Sequence, residues 1–564
     1  MTPGAAGIRP ARRYRHGRGA EAPFARLRAR LLAAVAGTRL YRLTLAAAAP
    51  PRLALSLPIR WPGDPARGAA LLRGEFRLAG ETIRDPTPFA DPVGASDDWR
   101  REFHGFAWLA DLAALDDAAA RDAARAMIAA WLAAGDGWRP FAWRADVLGA
   151  RLTAWITLFD VFFGPDQADA QRGPVLASLA RQGRHLARVA SWETAGAARL
   201  QALKGQIIAG LALGAGESRL ARPVARLARE LTAQILPDGG HVERSPAVQL
   251  AVLRDLIDIR TALRAAHMVV PEAVQMAIDR MAPMLRMLRH GDGRLVQFND
   301  TAEAYGALAD LALTRAEVRG RPLLSAPHSG FQRLQAGKTV LVADTGAPPP
   351  RGLDRHAHAG TLSFEMSYGR ERLIVNCGAW QGTNPEWRRA ARQTAAHSTV
   401  IVADTNSAEL LPDGTIGRRP VVSLADRVEE EGSQWIAASH DGYAAGFGLV
   451  HTRQLFLSAD GEHLRGEDGL AGRPGAAFVI RFHLHPAVQV SLVQEGEAAL
   501  LRLPSGTGFR LRAQGAQLAL AESVYLGGGE VRKTQQIVLS GHVGSQGATV
   551  RWAIRREGKK AAAA

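Results

Sequence analysis

The sequence predicts a multidomain α + β chain: a helical domain followed by an antiparallel β-sandwich. Three observations carry this. Apolar residues recur with a helical period from Trp99 to Leu313. The pattern changes near Gly320, Arg321 and Pro322 and again across 327–330. Beyond that point short alternating runs follow one another with Gly turns and no intervening helices, which indicates antiparallel sheets packed face to face. At 564 residues the chain is also too long for a single compact core.

Residues 1–95 read as a basic tail and a helical or extended lead-in. The tail, MTPGAAGIRPARRYRHGRGAEAPFARLRAR, is Gly/Pro-spaced and too polar to pack by itself. Leu31–Leu57 is apolar but interrupted by Arg39, Arg42, Pro50, Pro51 and Arg52, short of the ~20 continuous apolar residues of a spanning helix. It is also a poor secretion signal. It reads as a packing helix, with a peripheral membrane helix as the alternative.

Residues 96–320 form the helical domain, with helices expected over Glu102–Leu115, Ala118–Ala134, Val147–Phe163, Pro174–Val189, Gly196–Leu213, Arg219–Ile235, Ala247–Ala266 and Glu272–Arg289. Successive amphipathic helices favour a bundle, solenoid or toroid, and the lack of a fixed-period repeat argues against a common solenoid family. Residues 330–556 form the sandwich, with strands at Thr339–Ala343, Thr399–Val402, Leu449–Ser458, Ala477–His483 and Gln536–Leu539. Leu362–Met366 alternates as a half-buried strand, Tyr368–Glu371 reads as a turn, and Leu373–Cys377 returns antiparallel. The tail GKKAAAA reads as a frayed end.

Formal net charge is +16, and it is almost entirely arginine, since the lysines are Lys204, Lys338, Lys533, Lys559 and Lys560. Arginine's planar fork suits carboxylates, sulfates and phosphates, so the charge permits acidic polysaccharide, nucleic acid or a membrane surface as partner. Apart from the amino-terminal tail, no Arg/Lys run is interleaved with aromatics as in a nucleic-acid module, so nucleic acid is not expected. A lone cysteine, Cys377, excludes internal disulfides. No nucleophile elbow or P-loop is present for hydrolysis.

The strongest chemical signal is in HAHAGTLSFE and RQTAAHSTVIVAD, where His356, His358 and His397 converge on one β region. Imidazoles titrate near neutrality and ligate metals, so such a cluster suits proton transfer or metal binding. In the helical half, ILPDGGHVER carries His241, Glu243 and Arg244 in a loop, where functional and structural readings are even. His104, Trp108, Trp143, Arg151 and Trp155 read as core, and His290, Asp292, Asn299 and Asp300 as turn formers.

These segments, with LIVNCG, WRRAARQTAAHSTVIVAD, FHGFAWLADL, SWETAGAARLQALKGQIIAGLAL, ILPDGGHVERSPAVQL and IRFHLHP, resemble the heparinase II/III-like polysaccharide lyases from about Asp97 to about Arg555. The resemblance implies an incomplete (α/α) toroid before the sandwich, a substrate cleft between the two, a periplasmic or cell-envelope location with cytoplasm as the alternative, and β-elimination on an acidic, uronate-containing polysaccharide. It assigns the sheet-domain catalytic histidine to His356 and zinc-binding histidines to His358 and His397. Asn376 stands where the family has an aspartate ligand, and Gly360 replaces another aspartate. A structural zinc and a metal-free histidine cluster are both left open, with the second favoured because an amide is a weak zinc ligand.

The resemblance also places the family's Asn-His pair on Ala197 and Ala198 and its Tyr-His pair on Val248 and Gln249. Alanine and valine carry no proton. The expected replacements are His241 and Arg244 beside His356, with Arg199, Gln201, Gln249 and Glu243 contacting substrate. The alternatives are a catalytically impaired glycan-binding or cell-envelope assembly protein, and a basic binder of nucleic acid or membrane surface.

Overall fold

The computed structural model describes residues 31–558 except 32–33, 47–48, 87–91, 93, 135–137, 165–168 and 191–194. The expectation for the basic tail lies outside the described residues.

Helices follow their start signals. Asp117 accepts the amide of Ala120 and opens Ala118–Ala133, while Ser245 and Pro246 open Pro246–Ala265. The helix Gly196–Ala212 packs on Ala145–Thr157 backbone to backbone: a Cβ on Gly205 would lie 2.3 Å from Cα of Gly149. Two expected helices are broken. Glu102–Leu115 stops at Phe106, whose φ of 57° ends Asp97–Gly105 before Leu109–Ala113 resumes. Val147–Phe163 is interrupted at Leu158, between Ala145–Thr157 and Phe159–Phe162. The lead-in runs over these helices, held by Ala54 N–H on Ala212 O at 2.7 Å and Trp61 Nε1 on Asp258 at 2.7 Å.

After the helix Gly306–Ala316 the chain enters two large sheets whose neighbouring strands, among the described residues, are antiparallel, so the architecture is an (α/α) toroid followed by a β-sandwich. In the eight-stranded sheet, Gln489–Val493, Ala498–Arg502, Gly508–Gln514, Ala548–Arg556, His463–Gly472, Leu449–Leu457, Ser433–Tyr443 and Val422–Glu430 lie side by side. The nine-stranded sheet is centred on Ala477–Leu484, Glu371–Val375, Phe364–Tyr368 and Thr339–Asp344. Between them Phe364 stacks on Trp552 with ring centres 5.7 Å apart.

One expectation about the central strand fails. Phe364–Tyr368 is buried at every position, not on alternate residues. Its outer face is covered by the last turns of the helical domain: Glu365 sits 3.0 Å from Nε2 of His290 and accepts the amides of Gln297 and Asn376. Arg372 likewise pairs with Asp292 at 2.9 Å. Polar residues on this face are satisfied by the neighbouring domain rather than by water.

Candidate functional site

A cavity of about 660 Å³ opens between the two domains. One wall comes from the helices Ala145–Thr157, Gly196–Ala212 and Pro246–Ala265. The lead-in contributes Leu57 to Trp61, and the sandwich contributes Gly352, Leu353, Arg355 and His356.

His356 stands at this boundary with its side chain 37% exposed, and Nδ1 lies 2.8 Å from Oδ2 of Asp300. Burial opposes charge on the ring, but the hydrogen bond and charge of Asp300 outweigh it, and its pKa is raised. Burial also works against the Asp300 carboxylate, yet His356 and the nearby charges hold it well below the usual carboxylate range. The pair therefore favours imidazolium and carboxylate.

His358 and His397 lie deeper. Nδ1 of His397 donates to Gln393 O at 2.7 Å, which leaves its Nε2 to accept from Nδ1–H of His358 at 3.2 Å. Nε2 of His358 then accepts the amide of Asp300 at 3.1 Å. The backbone partners at both ends fix the two tautomers. Burial lowers His358 well below its ordinary value and takes His397 down to about 4, so both rings are neutral. This chain anchors the backbone of the residue that charges His356.

The donor set does not fit a tetrahedral zinc. Such an ion takes at least three protein ligands. The nitrogens of His358 and His397 face each other, but Oδ1 of Asn376 is engaged by the amide of Ser398 at 2.9 Å, and Gly360 has no side chain. Cys377 turns away to His483, 3.5 Å from its Nδ1. Among the described residues no group of three His, Cys, Asp or Glu side chains is placed to hold a metal.

The other catalytic residues expected from the sequence, His241 and Arg244, and the expected substrate contacts, Arg199, Gln201, Gln249 and Glu243, divide. Gln201 and Glu243 line the cavity, and Glu243 also accepts the amide of Ala197 at 2.8 Å. Four others need correction. His241 is 1% exposed, with Nε2 3.1 Å from Oε1 of Gln234, and burial lowers its pKa; it is a neutral loop anchor. Arg244 is spent on Ser329 O, Ala347 O and the carboxylate of Asp344, clamping the helical domain to the sheet. Gln249 is buried, donating to Gly239 O and accepting the amide of His241. Arg199 pairs with Glu230 at 2.9 Å, away from the cavity lining.

Several cavity residues were not singled out from the sequence. Arg101 and Arg144 both bracket the buried Asp146, at 3.2 and 2.9 Å. Lys204 lies 2.5 Å from Asp255 and 3.3 Å from Asp258. Asp300, which meets the cavity only through His356, was read only as a turn former, which its φ of 62° also makes it. Only Lys204 had a signal, as the one lysine before Lys338 in an arginine-rich sequence.

Comparison with known proteins bears on the fold and the family. Residues 89–311 match the Heparinase II/III N-terminus family and residues 318–553 match the Heparinase II/III-like, C-terminal family. FtsZ-localized protein C of Caulobacter vibrioides is 34% identical over 547 residues, covering 92% of this chain and 93% of that protein. The crystal structure of heparinase III superposes with a TM-score of 0.72 at 14% identity over 89% of this chain and 86% of that one. Heparan sulfate lyase HepC from Pedobacter heparinus gives 0.60 at 17% identity over 94% and 89%. At such identities the superpositions establish the fold alone. With both halves matched in order, the chain belongs to the heparinase II/III family.

Proposed function

We propose that the cleft binds an acidic, uronate-containing polysaccharide and holds it without the family's usual β-elimination. The observation that carries this reading is the wall that shares the cavity with His356: Ala197, Ala198 and Val248 line it. None can move a proton or neutralise a carboxylate, and elimination needs a base, an acid and a group on the carboxylate. Asp300 biases His356 toward the charged form, which suits binding a carboxylate better than abstracting a proton. An anionic ligand is further supported by the balance of charge around the same space, where Arg60, Arg101, Arg144, Lys204, Arg254 and Arg355 outnumber Asp146, Glu243, Asp255 and Asp258. The amino-terminal ends of Gly196–Ala212 and Pro246–Ala265 add their positive dipoles. The relative named as FtsZ-localized supports a place beside FtsZ for this chain, with a cell-envelope location as part of the reading. No helix among the described residues is long and apolar enough to cross a membrane.

A second reading, elimination by His356 as both acid and base, is favoured by the retained His356–Asp300 pair. One experiment separates the two: calorimetric titration with a panel of uronate polymers, alongside ultraviolet absorbance of an unsaturated product. Binding without product supports the first reading. Product that disappears in His356→Ala supports the second, and neither binding nor product overturns both.

A further inference from the structure

The solvent face of the eight-stranded sheet carries a second groove, of about 370 Å³. Its position follows from strand register. Trp435 pairs with Phe456, Phe456 with Arg465, Arg465 with Ala553 and Ala553 with Arg512, so five outward side chains form one row across five strands. At about 4.8 Å per strand the row is roughly 19 Å long. The small side chain of Ala553 makes its low point. Arg465 lies over the Phe456 ring at 5.4 Å, and Arg551, paired with Glu467 at 2.7 Å, stands in the next row. Trp435 and Phe456 are only half-buried, and Arg465, Arg512 and Arg551 are exposed.

We propose that this row is an auxiliary site for an anionic glycan strand. Flat aromatic faces on a solvated sheet suit the apolar faces of pyranose rings, and guanidinium forks beside them suit carboxylate or sulfate substituents. An apolar patch rimmed by polar side chains marks an interaction surface, and in this groove Arg465, Arg512 and Arg551 outnumber Glu467. The edge strand beyond Trp435 carries Asp426 and Glu430 on the same face, so the charged substituents lie at the Arg465–Arg512 end and the ring contacts at the Trp435 end. The row lies on the solvent face of the sheet away from the cleft and uses none of its residues, so it stands whether or not the cleft binds glycan.

The test is calorimetry and affinity electrophoresis of the full chain with polygalacturonate, with dextran as neutral polymer and a single-stranded oligonucleotide as a different polyanion. Trp435→Ala and the pair Arg465→Ala/Arg512→Ala each change only partly or fully exposed side chains. Each should weaken one class of polygalacturonate sites at least tenfold, leaving thermal stability unchanged. His356→Ala should leave that class intact, so failure of the cleft reading registers separately. Unchanged binding in both outer-face variants overturns the proposal. Equal binding of dextran removes the role of charge, and a Trp435-dependent oligonucleotide affinity equal to that for polygalacturonate removes the glycan assignment; either outcome also overturns it.

Discussion

Nδ1 of His356 lies 2.8 Å from Oδ2 of Asp300, tying a histidine of the sandwich to a loop of the helical domain. The contact joins residues 56 apart in sequence and sets the charge of the one imidazole that lines the cleft among the described residues.

The first prediction concerns that charge. Because the folded pKa of His356 is raised, its stabilising charge is fully present below about 6.5 and is lost as pH rises through the raised value. Asp300 acts oppositely: its contribution is present above the usual carboxylate range and is lost as pH falls through its depressed value. Histidine proton resonances followed through a pH titration should show His356 above 6.5 in the wild type. In Asp300→Asn it should fall below 6.5, since burial then acts without the carboxylate. Glycan affinity should decline over the same rise in pH. A pH-independent affinity would mean that His356 does not meet the ligand's charge.

Arg244 should matter for folding rather than binding. Arg244→Ala strands the buried carboxylate of Asp344 and several carbonyls, a loss of about 3–5 kcal/mol. Denaturant unfolding should register it, while glycan affinity measured well below the melting transition stays within about twofold. A selective loss of affinity would return Arg244 to the cleft.

For the metal, protein purified without chelator should carry well under one zinc per chain by elemental analysis, because Asn376 and Gly360 supply no anionic ligand. Asn376→Asp adds the carboxylate beside His397 and should raise zinc content. Stoichiometric zinc in the wild type would show that the histidine pair opens to accept the ion. Acid should loosen the same pair: with His397 depressed to about 4, the unfolded chain binds more protons between about 4 and 6.5, so stability falls as pH falls through that window.

Gain of function tests the wall opposite His356. Val248 and Ala197 both line the cavity, so Val248→Tyr combined with Ala197→Asn restores a phenol and an amide there. Unsaturated product should appear with a uronate polymer and vanish when His356→Ala is added. Continued silence of a folded, glycan-binding double variant would place the block elsewhere in the cleft.

The change from helical to alternating period, the order of the helices and the antiparallel hairpin returning toward the histidines were legible in the sequence, because each is written in side-chain spacing over short stretches. Local spacing also brought out His356, His358 and His397. It did not reveal that Asp300 charges His356, since a turn-forming aspartate and an ion-pair partner read alike until a loop some 56 residues away folds against it. Nor did it assign His241 and Arg244, whose loop sits at the domain interface, where Gln234 and Asp344 consume the groups that spacing alone left available. The residue types that limit the chemistry, Ala197, Ala198 and Val248, belong to the sequence. Which of the remaining polar side chains face the cavity was decided by packing between the domains, because a buried donor goes to the nearest acceptor that docking supplies.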